Sequence, residues 1–198
     1  MKQILILLFS VQLLAAQHLV QTDIFEVCYS SQKQQPLWLS YEVECLTGGF
    51  SRKGLNFKKD KQFTGVTSDN ADYYKNVWDK GHLAPAADFN CSYEKLRSTF
   101  NYLNCALQHE KLNRGPWKNL EKYERKLAEM HTVQVKVVLE FAENWLPTGA
   151  LVPSYFIKIL SYNNRVEVYR FPNDVSVWRK PYKDYQLQDY LVVEGCVE

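Results

Sequence analysis

The chain has 198 residues, enough for one domain of ordinary size, and its hydrophobic share of 46% supports a real core. Aromatic residues make up 14%, with tyrosine the main contributor at 13 copies. A formal net charge of +2 excludes a protein that grips long nucleic acid by bulk charge alone, while leaving room for a local basic groove.

The first residues, MKQILILLFSVQLLAAQ, join a positive Lys2 to an apolar run from Ile4 to Leu14, interrupted by Ser10 and Gln12, and then small Ala15 and Ala16. That is the pattern of a secretory signal peptide. The run falls short of the roughly 20 apolar residues of a membrane span. An uncleaved anchor or an organelle-targeting segment is the alternative. Residues 1–17 are therefore set apart, and 18–198 are read as one domain, because no internal repeat or low-complexity linker divides them. The N-terminal signal places the protein outside the cell or in a periplasmic or lumenal space. The mitochondrial intermembrane space is the alternative. Five cysteines follow, Cys28, Cys45, Cys91, Cys105 and Cys196, an odd number that leaves one free or intermolecular if the rest pair. Their spacing forms no zinc knuckle, and there is no HxxxH pair.

PLWLSYEVECL, Pro36 to Leu46, has the aromatic and β-branched character of a strand. TGGFSRKGLNFKKDKQF is glycine-rich and basic, a loop or hairpin, and TSDNADYY reads as a turn. A helical pattern runs through YEKLRSTFNYLNCAL, from Tyr93 to Leu107. A second helix spans about Pro116 to Met130, where Trp117, Leu120, Leu127 and Met130 recur at helical spacing. Pro116 suits its first turn. TVQVKVVLEF, Thr132 to Phe141, is a strand. SYFIKILSYN and RVEVYRFP form a hairpin turning at Asn163 and Asn164, and QDYLVVEGCV is the last strand candidate. Strands, then helices, then strands argue for an α+β fold with a mainly antiparallel sheet.

The stretch DKGHLAPAADF places His82 beside a glycine, with Lys80 two residues earlier on the same side of an extended strand. LNRGPWKNLE supplies Asn113 and Glu121, and Asn104 lies upstream in YLNCALQ. Hydrolysing a phosphodiester needs such a set. A neutral histidine takes a proton from water near neutral pH. A divalent cation stabilises the charge on phosphate, and magnesium needs only one or two protein oxygens because it keeps several waters. On an ideal helix Asn113 and Glu121 would lie roughly 12 Å apart along the axis and about 80° around it. They reach one ion only if Asn113 precedes the helix, with Gly115 and Pro116 making the bend.

These three ordered blocks, DKGHLAPAADF, TFNYLNCALQ and LNRGPWKNLEKYERKL, resemble the DNA/RNA non-specific endonuclease family, which includes mitochondrial endonuclease G and secreted bacterial nucleases. The likeness covers roughly Pro36 to Pro172 and extends more weakly to LVPSYFIKIL. It implies a ββα-metal fold, a central sheet flanked by helices, and a magnesium-dependent endonuclease, with manganese as a substitute metal, that cuts DNA and RNA to leave 5′-phosphates. By the resemblance His82 is the general base and Asn113 the direct metal ligand. Asn104 and Glu121 orient the histidine region and the waters of the metal. Arg125 matches an arginine near the scissile phosphate, and Arg52 aligns loosely with an upstream one. Family relatives are often dimers, so a homodimer is one implied state.

The sequence departs from the family in places. Lys80 stands where the family has arginine, which keeps the charge but loses the planar two-pronged grip on phosphate, so Lys80→Arg is expected to raise the rate of a live site. Cys105 to Leu107 replace a segment that usually carries a proline, and VVLEFAENW lacks the usual glycine. The rival reading is a weak or inactive homologue serving as a structural or nucleic-acid-binding subunit of a larger assembly. Simpler roles stand beside the functional ones: Asn113 as a helix cap, Glu121 paired with Arg125 one turn on, Asn104 satisfying buried backbone. Asp79 holds the turn or orients a neighbour. Tyr73, Tyr74 and Trp78 read as packing, and His109 and His131 as structural. The basic clusters RKGLNFKKDK and KNLEKYERK are either ordinary surface or the border of a substrate groove.

Overall fold

The computed structural model describes residues 17–45 and 48–188. The proposed leader, apart from Gln17, and most of the last strand candidate lie outside them. Among the described residues the strands are β1 (Gln17–Gln21), β2 (Glu26–Ser30), β3 (Gln35–Glu42), β4 (Trp78–His82), β5 (Cys105–His109), β6 (Gln134–Trp145), β7 (Leu151–Tyr162), β8 (Arg165–Pro172) and β9 (Gln186–Leu187). The α-helices are α1 (Tyr93–Ser98), the single turn α2 (Glu110–Leu112) and α3 (Lys118–Ala128). Gln17, set with the leader on sequence grounds, opens β1 and pairs with Ser30.

Seven strands form one antiparallel sheet in the order β1-β2-β3-β6-β7-β8-β9, and β4 and β5 form a separate antiparallel pair. The expected α+β class with a mainly antiparallel sheet is what the chain adopts. The β7–β8 hairpin turns at Asn163 and Asn164, both with positive φ, the backbone that a two-residue turn needs and that asparagine tolerates. Side chains alternate along β7, so Phe156, Lys158 and Leu160 share the face turned toward α3, while Ile157 and Ile159 face a smaller apolar cluster with Val168. Helix α3 buries Leu120 and Leu127 against the main core. Full burial of such a leucine contributes about 1.5–3 kcal/mol.

One element corrects the sequence reading. The helix starting at Tyr93 stops at Ser98, and Cys105 to His109 is strand β5, not helix. The break begins where Asn101 accepts a hydrogen bond from the Leu103 N–H at 3.0 Å, giving the backbone a local alternative to helix. The following residues, buried with no polar face to alternate, then pair with β4. The strand predicted to reach Leu46 ends at Glu42. Cys45 and Cys91 form a disulfide, Cys28 is also disulfide-bonded, and Cys105 is a free, buried thiol. Among the described residues no helix is long and apolar enough to cross a membrane.

Candidate active site

Strand β4, the turn after it, the segments around Phe57 and Phe100 and the helix that follows β5 line a pocket of about 590 Å³, whose wall includes Arg52, Asp79, Lys80, His82, Asn113, Arg114 and Glu121. Gly81 sits in β4 between Lys80 and His82, and a Cβ there would run into the Gln108 side chain of β5, so the strands approach closely only with glycine. Beyond His82 the chain is held by Asn104. Its Oδ1 accepts from the Ala84 N–H at 2.7 Å, and its amide donates to the carbonyls of Ala84 and Thr99, both at 2.9 Å. Asn104 is fully buried and does not reach the pocket. It fixes the turn after the histidine.

The His82 ring lies against Phe57 at 4.6 Å between centroids and edge-on to Phe100 at 4.8 Å. Burial, and secondarily the Arg52 charge, pushes its pKa down to about 3. The imidazole is therefore neutral throughout the physiological range. Its Nε2 is shut off from solvent with no hydrogen-bond partner among the described residues.

Asn113 starts a wide, π-like turn of helix, Asn113–Trp117, that leads into α3. Gly115 departs from helical geometry there (φ −106°, ψ −117°) and Pro116 follows it, the bend that brings Asn113 and Glu121 to one pocket. The Asn113 amide donates to Asp79 Oδ2 at 2.8 Å, so its role is not that of a helix cap. Arg114 clamps the same carboxylate with two hydrogen bonds, at 2.8 and 2.6 Å. Asp79 thus fixes which way the Asn113 amide points. The N–H side is spent on Asp79, and the carbonyl oxygen stays available.

Lys80 donates to Asn70 Oδ1, which also accepts from the Tyr102 hydroxyl at 2.9 Å. Its ammonium lies 6.0, 5.6 and 5.5 Å from the ring centroids of Phe57, Tyr73 and Tyr102. A three-ring cage holds a positive charge by cation–π attraction. Tyr73 therefore does more than pack.

Glu121 lines the pocket, and burial pushes its pKa up to about 7, with Lys158 and Arg125 pulling it down and Glu124 pushing it up. Behind it lies a polar cluster that the sequence reading missed. Lys158 and Glu124, both fully buried, pair at 2.8 Å, and Tyr41 donates to Glu124 at 2.9 Å. The Lys158 ammonium also sits 4.5 Å from the Trp117 ring centroid. The signal available in sequence was a lysine inside the apolar run YFIKIL.

Arg125 requires a correction. It does not line the pocket: its guanidinium donates to Asp88 Oδ1 at 2.6 Å, and Asp88 is completely buried. Burial and then Glu124 hold the Asp88 pKa well above the usual carboxylate range, and Arg125 opposes both. The guanidinium is committed to Asp88 rather than to phosphate, and Glu121 is not its ion-pair partner. Arg52, whose family counterpart was loose, does line the pocket, as does Arg114, which adjoins Asn113 in sequence but carried no signal of its own. His109 caps α2 through Nδ1, and His131 stacks on Tyr162, both structural roles.

The donor set suits a hard cation that keeps most of its water: one amide oxygen aimed by Asp79 and one carboxylate in reach of the same pocket. Among the described residues no three His, Cys, Asp or Glu side chains gather as a closed metal cage.

The sequence profile of DNA/RNA non-specific endonucleases matches residues 9–193. The chain belongs to this family. Zebrafish (Danio rerio) mitochondrial nuclease EXOG is 31% identical over 127 residues, 63% of this chain and 34% of that protein. Human mitochondrial endonuclease G is 34% identical over 110 residues, 54% of this chain and 37% of that protein. The mitochondrial nuclease of Saccharomyces cerevisiae is 30% identical over 161 residues, covering 69% and 48%. The chain thus spans less than half the length of each of these relatives. A chain from the crystal structure of an EndoG/EndoGI complex superimposes with a TM-score of 0.76 at 22% identity, covering 87% of this chain and 80% of that one. That likeness shows the fold. With it, β4, β5 and the helix beginning at Asn113 are the ββα unit of a ββα-metal nuclease, flanked by the seven-stranded sheet.

Proposed function

We propose that the protein is a magnesium-dependent endonuclease acting on DNA and RNA, with manganese as a substitute. The observation that carries this reading is the meeting of His82, Lys80, Asn113 and Glu121 in one pocket, from two stretches of chain some thirty residues apart. His82 accepts a proton from a water whose oxygen attacks phosphorus. The bond from phosphorus to the 3′-oxygen breaks and that oxygen takes a proton from solvent water, leaving a 3′-hydroxyl and a 5′-phosphate. A bound divalent cation supplies positive charge to the phosphate and to the departing oxygen. Asn113 would hold that cation through Oδ1, and Glu121 would accept hydrogen bonds from its water shell. Asp79 and Arg114 keep the Asn113 carbonyl aimed. Lys80, kept in place by Asn70 and its aromatic cage, offsets phosphate charge, and Arg52 adds a second cation on the pocket wall. Asn104 positions His82 by pinning the turn after it. Arg125 acts at one remove, by holding Asp88 beneath the site.

Purified protein should nick plasmid DNA and cut RNA with magnesium, and EDTA should stop both. If wild type and His82→Ala are equally inert with magnesium, manganese and other divalent metals, the enzymatic reading fails and a structural or nucleic-acid-binding subunit is what remains. The Cys45–Cys91 disulfide supports residence in an oxidising space, whether secreted, lumenal or between mitochondrial membranes. The names of the relatives above favour the mitochondrial option. Sequencing the N-terminus of the protein from its native cell discriminates the routes.

A further inference from the structure

The basic run in the loop after β3 is only partly used by the pocket. Arg52 reaches it, whereas Lys58, Lys59 and Lys61 do not. These three exposed lysines line a second and larger groove of about 1130 Å³, together with Tyr93 and Arg97 of α1. The two cavities adjoin, with Leu55 and Phe100 forming part of both walls. The lysine-bearing segment is also fastened to the chain that enters β5. Lys58 N–H donates to the Phe100 carbonyl at 3.0 Å, and the Tyr102 N–H donates back to the Lys58 carbonyl at 3.0 Å.

The groove therefore has a fixed place relative to the pocket. Its cations outnumber its carboxylates, Asp23 and Asp60. Asp60 is already engaged, by the Gln62 N–H and the Asn101 amide, each at 2.8 Å. The chain as a whole is close to neutral, so this is a local concentration of positive charge. At the same edge stand two exposed aromatic rings. Tyr93 is 46% exposed, and Phe50, 49% exposed, packs against it at 5.9 Å between centroids. Exposed aromatics bordering a basic track are the two components of a site for unpaired nucleic acid: cations follow the phosphates and rings stack on bases.

We propose that this groove binds the single-stranded stretch of substrate that flanks the bond being cut. The inference rests on the endonuclease reading for its direction but not for its test, because binding is measured apart from cleavage. Phosphates run along Lys58, Lys61 and Arg97, while a base stacks at Tyr93. A substrate long enough to leave the pocket gains these contacts, and a dinucleotide gains none.

The test uses the full chain carrying His82→Ala and a fluorescent 15-nucleotide oligo(dT), read by anisotropy across a salt series. Adding Lys58→Ala and Lys61→Ala should weaken binding on the order of ten-fold and lower the slope of log affinity against log salt by about 1.4, at roughly 0.7 per single-strand phosphate contact. Tyr93→Ala should weaken the same oligonucleotide about ten-fold, with little change for a duplex of equal length. On the His82-intact enzyme, the lysine pair should lower kcat/KM for the 15-mer and leave bis(p-nitrophenyl) phosphate hydrolysis within two-fold. Unchanged oligonucleotide affinity and salt slope would overturn the proposal, as would equal losses on the long and the small substrate, or equal losses on duplex and single strand from Tyr93→Ala. An enzyme inert on every substrate would sink the nuclease reading and leave the anisotropy arm to decide the groove.

Discussion

Lys158→Met isolates the buried cluster behind the site. The lysine head is fully buried on β7, 2.8 Å from Glu124 and 3.3 Å from the Tyr41 hydroxyl. Methionine fills the stem volume but leaves Glu124 as an uncompensated buried charge. Removing one partner of such a pair costs about 3–5 kcal/mol, whereas replacing both is often near neutral. At about 2–4 °C per kcal/mol for a chain of this size, the single variant should melt roughly 6–20 °C below wild type. The double variant Lys158→Met, Glu124→Gln keeps the hydrogen-bond partner of Tyr41 and removes the stranded charge, so it should recover about 2 kcal/mol or more. Thermal and urea unfolding of wild type, both singles and the double give the coupling directly. There is a functional readout too. Lys158 leads the charges that pull the Glu121 pKa down, so its loss should move that titration upward. A single variant that loses less than about 1 kcal/mol, or a double no better than the single, would refute the argument that an ion pair holds this face of α3.

Glu121 is protonated below about pH 7 and ionised above it, whereas His82 is neutral from about pH 3 upward. Activity should therefore rise with pH through a limb at or below about 7 that moves down with more magnesium, because a cation favours the carboxylate; an unchanged limb in Glu121→Gln would assign it elsewhere. Asp79→Ala frees the Asn113 amide to rotate and should raise the magnesium concentration for half-maximal rate by about 10–100-fold, as loss of a ligand-orienting partner does; an unchanged magnesium curve would remove Asp79 from that role. Lys80→Arg should lower the rate rather than raise it. The cage of Phe57, Tyr73 and Tyr102 and the bond to Asn70 surround a compact ammonium, and a wide planar guanidinium displaces that fit. A faster Lys80→Arg enzyme, measured on plasmid DNA, would restore the simpler view that arginine is always the better phosphate grip.

Residue chemistry exposed the centre of the site better than its surroundings. His82, Asn113 and Glu121 were recognisable because block spacing and the Gly115–Pro116 bend constrain them locally. The hairpin of β7 and β8 was readable because two asparagines in sequence favour the positive φ it needs. Strand β5 was not, since a short run buried throughout shows neither strand alternation nor a helix face. Arg125, matched by resemblance to an arginine near the phosphate, pairs here with Asp88 from a different segment of the chain, a partner that no local spacing announces. The cage around Lys80 joins residues from three separate segments, and the Glu124–Lys158 pair joins α3 to β7. Contacts of that range leave no local pattern to read.

The Cys45–Cys91 crosslink ties the chain just beyond β3 to the residue before the cap of α1, and the Cys91 N–H donates to the Cys45 sulfur. The loop carrying Phe50 and Arg52 departs from that knot and is anchored again at Lys58. Apart from the crosslink, the first anchor rests on backbone hydrogen bonds such as Phe50 N–H to the Asn90 carbonyl at 2.8 Å, the Glu44–Lys95 ion pair and the Phe50–Tyr93 ring contact. Oxidation of Cys45 and Cys91 adds a covalent tie to that wall of the cleft, so its stiffness depends on the redox state of the surroundings.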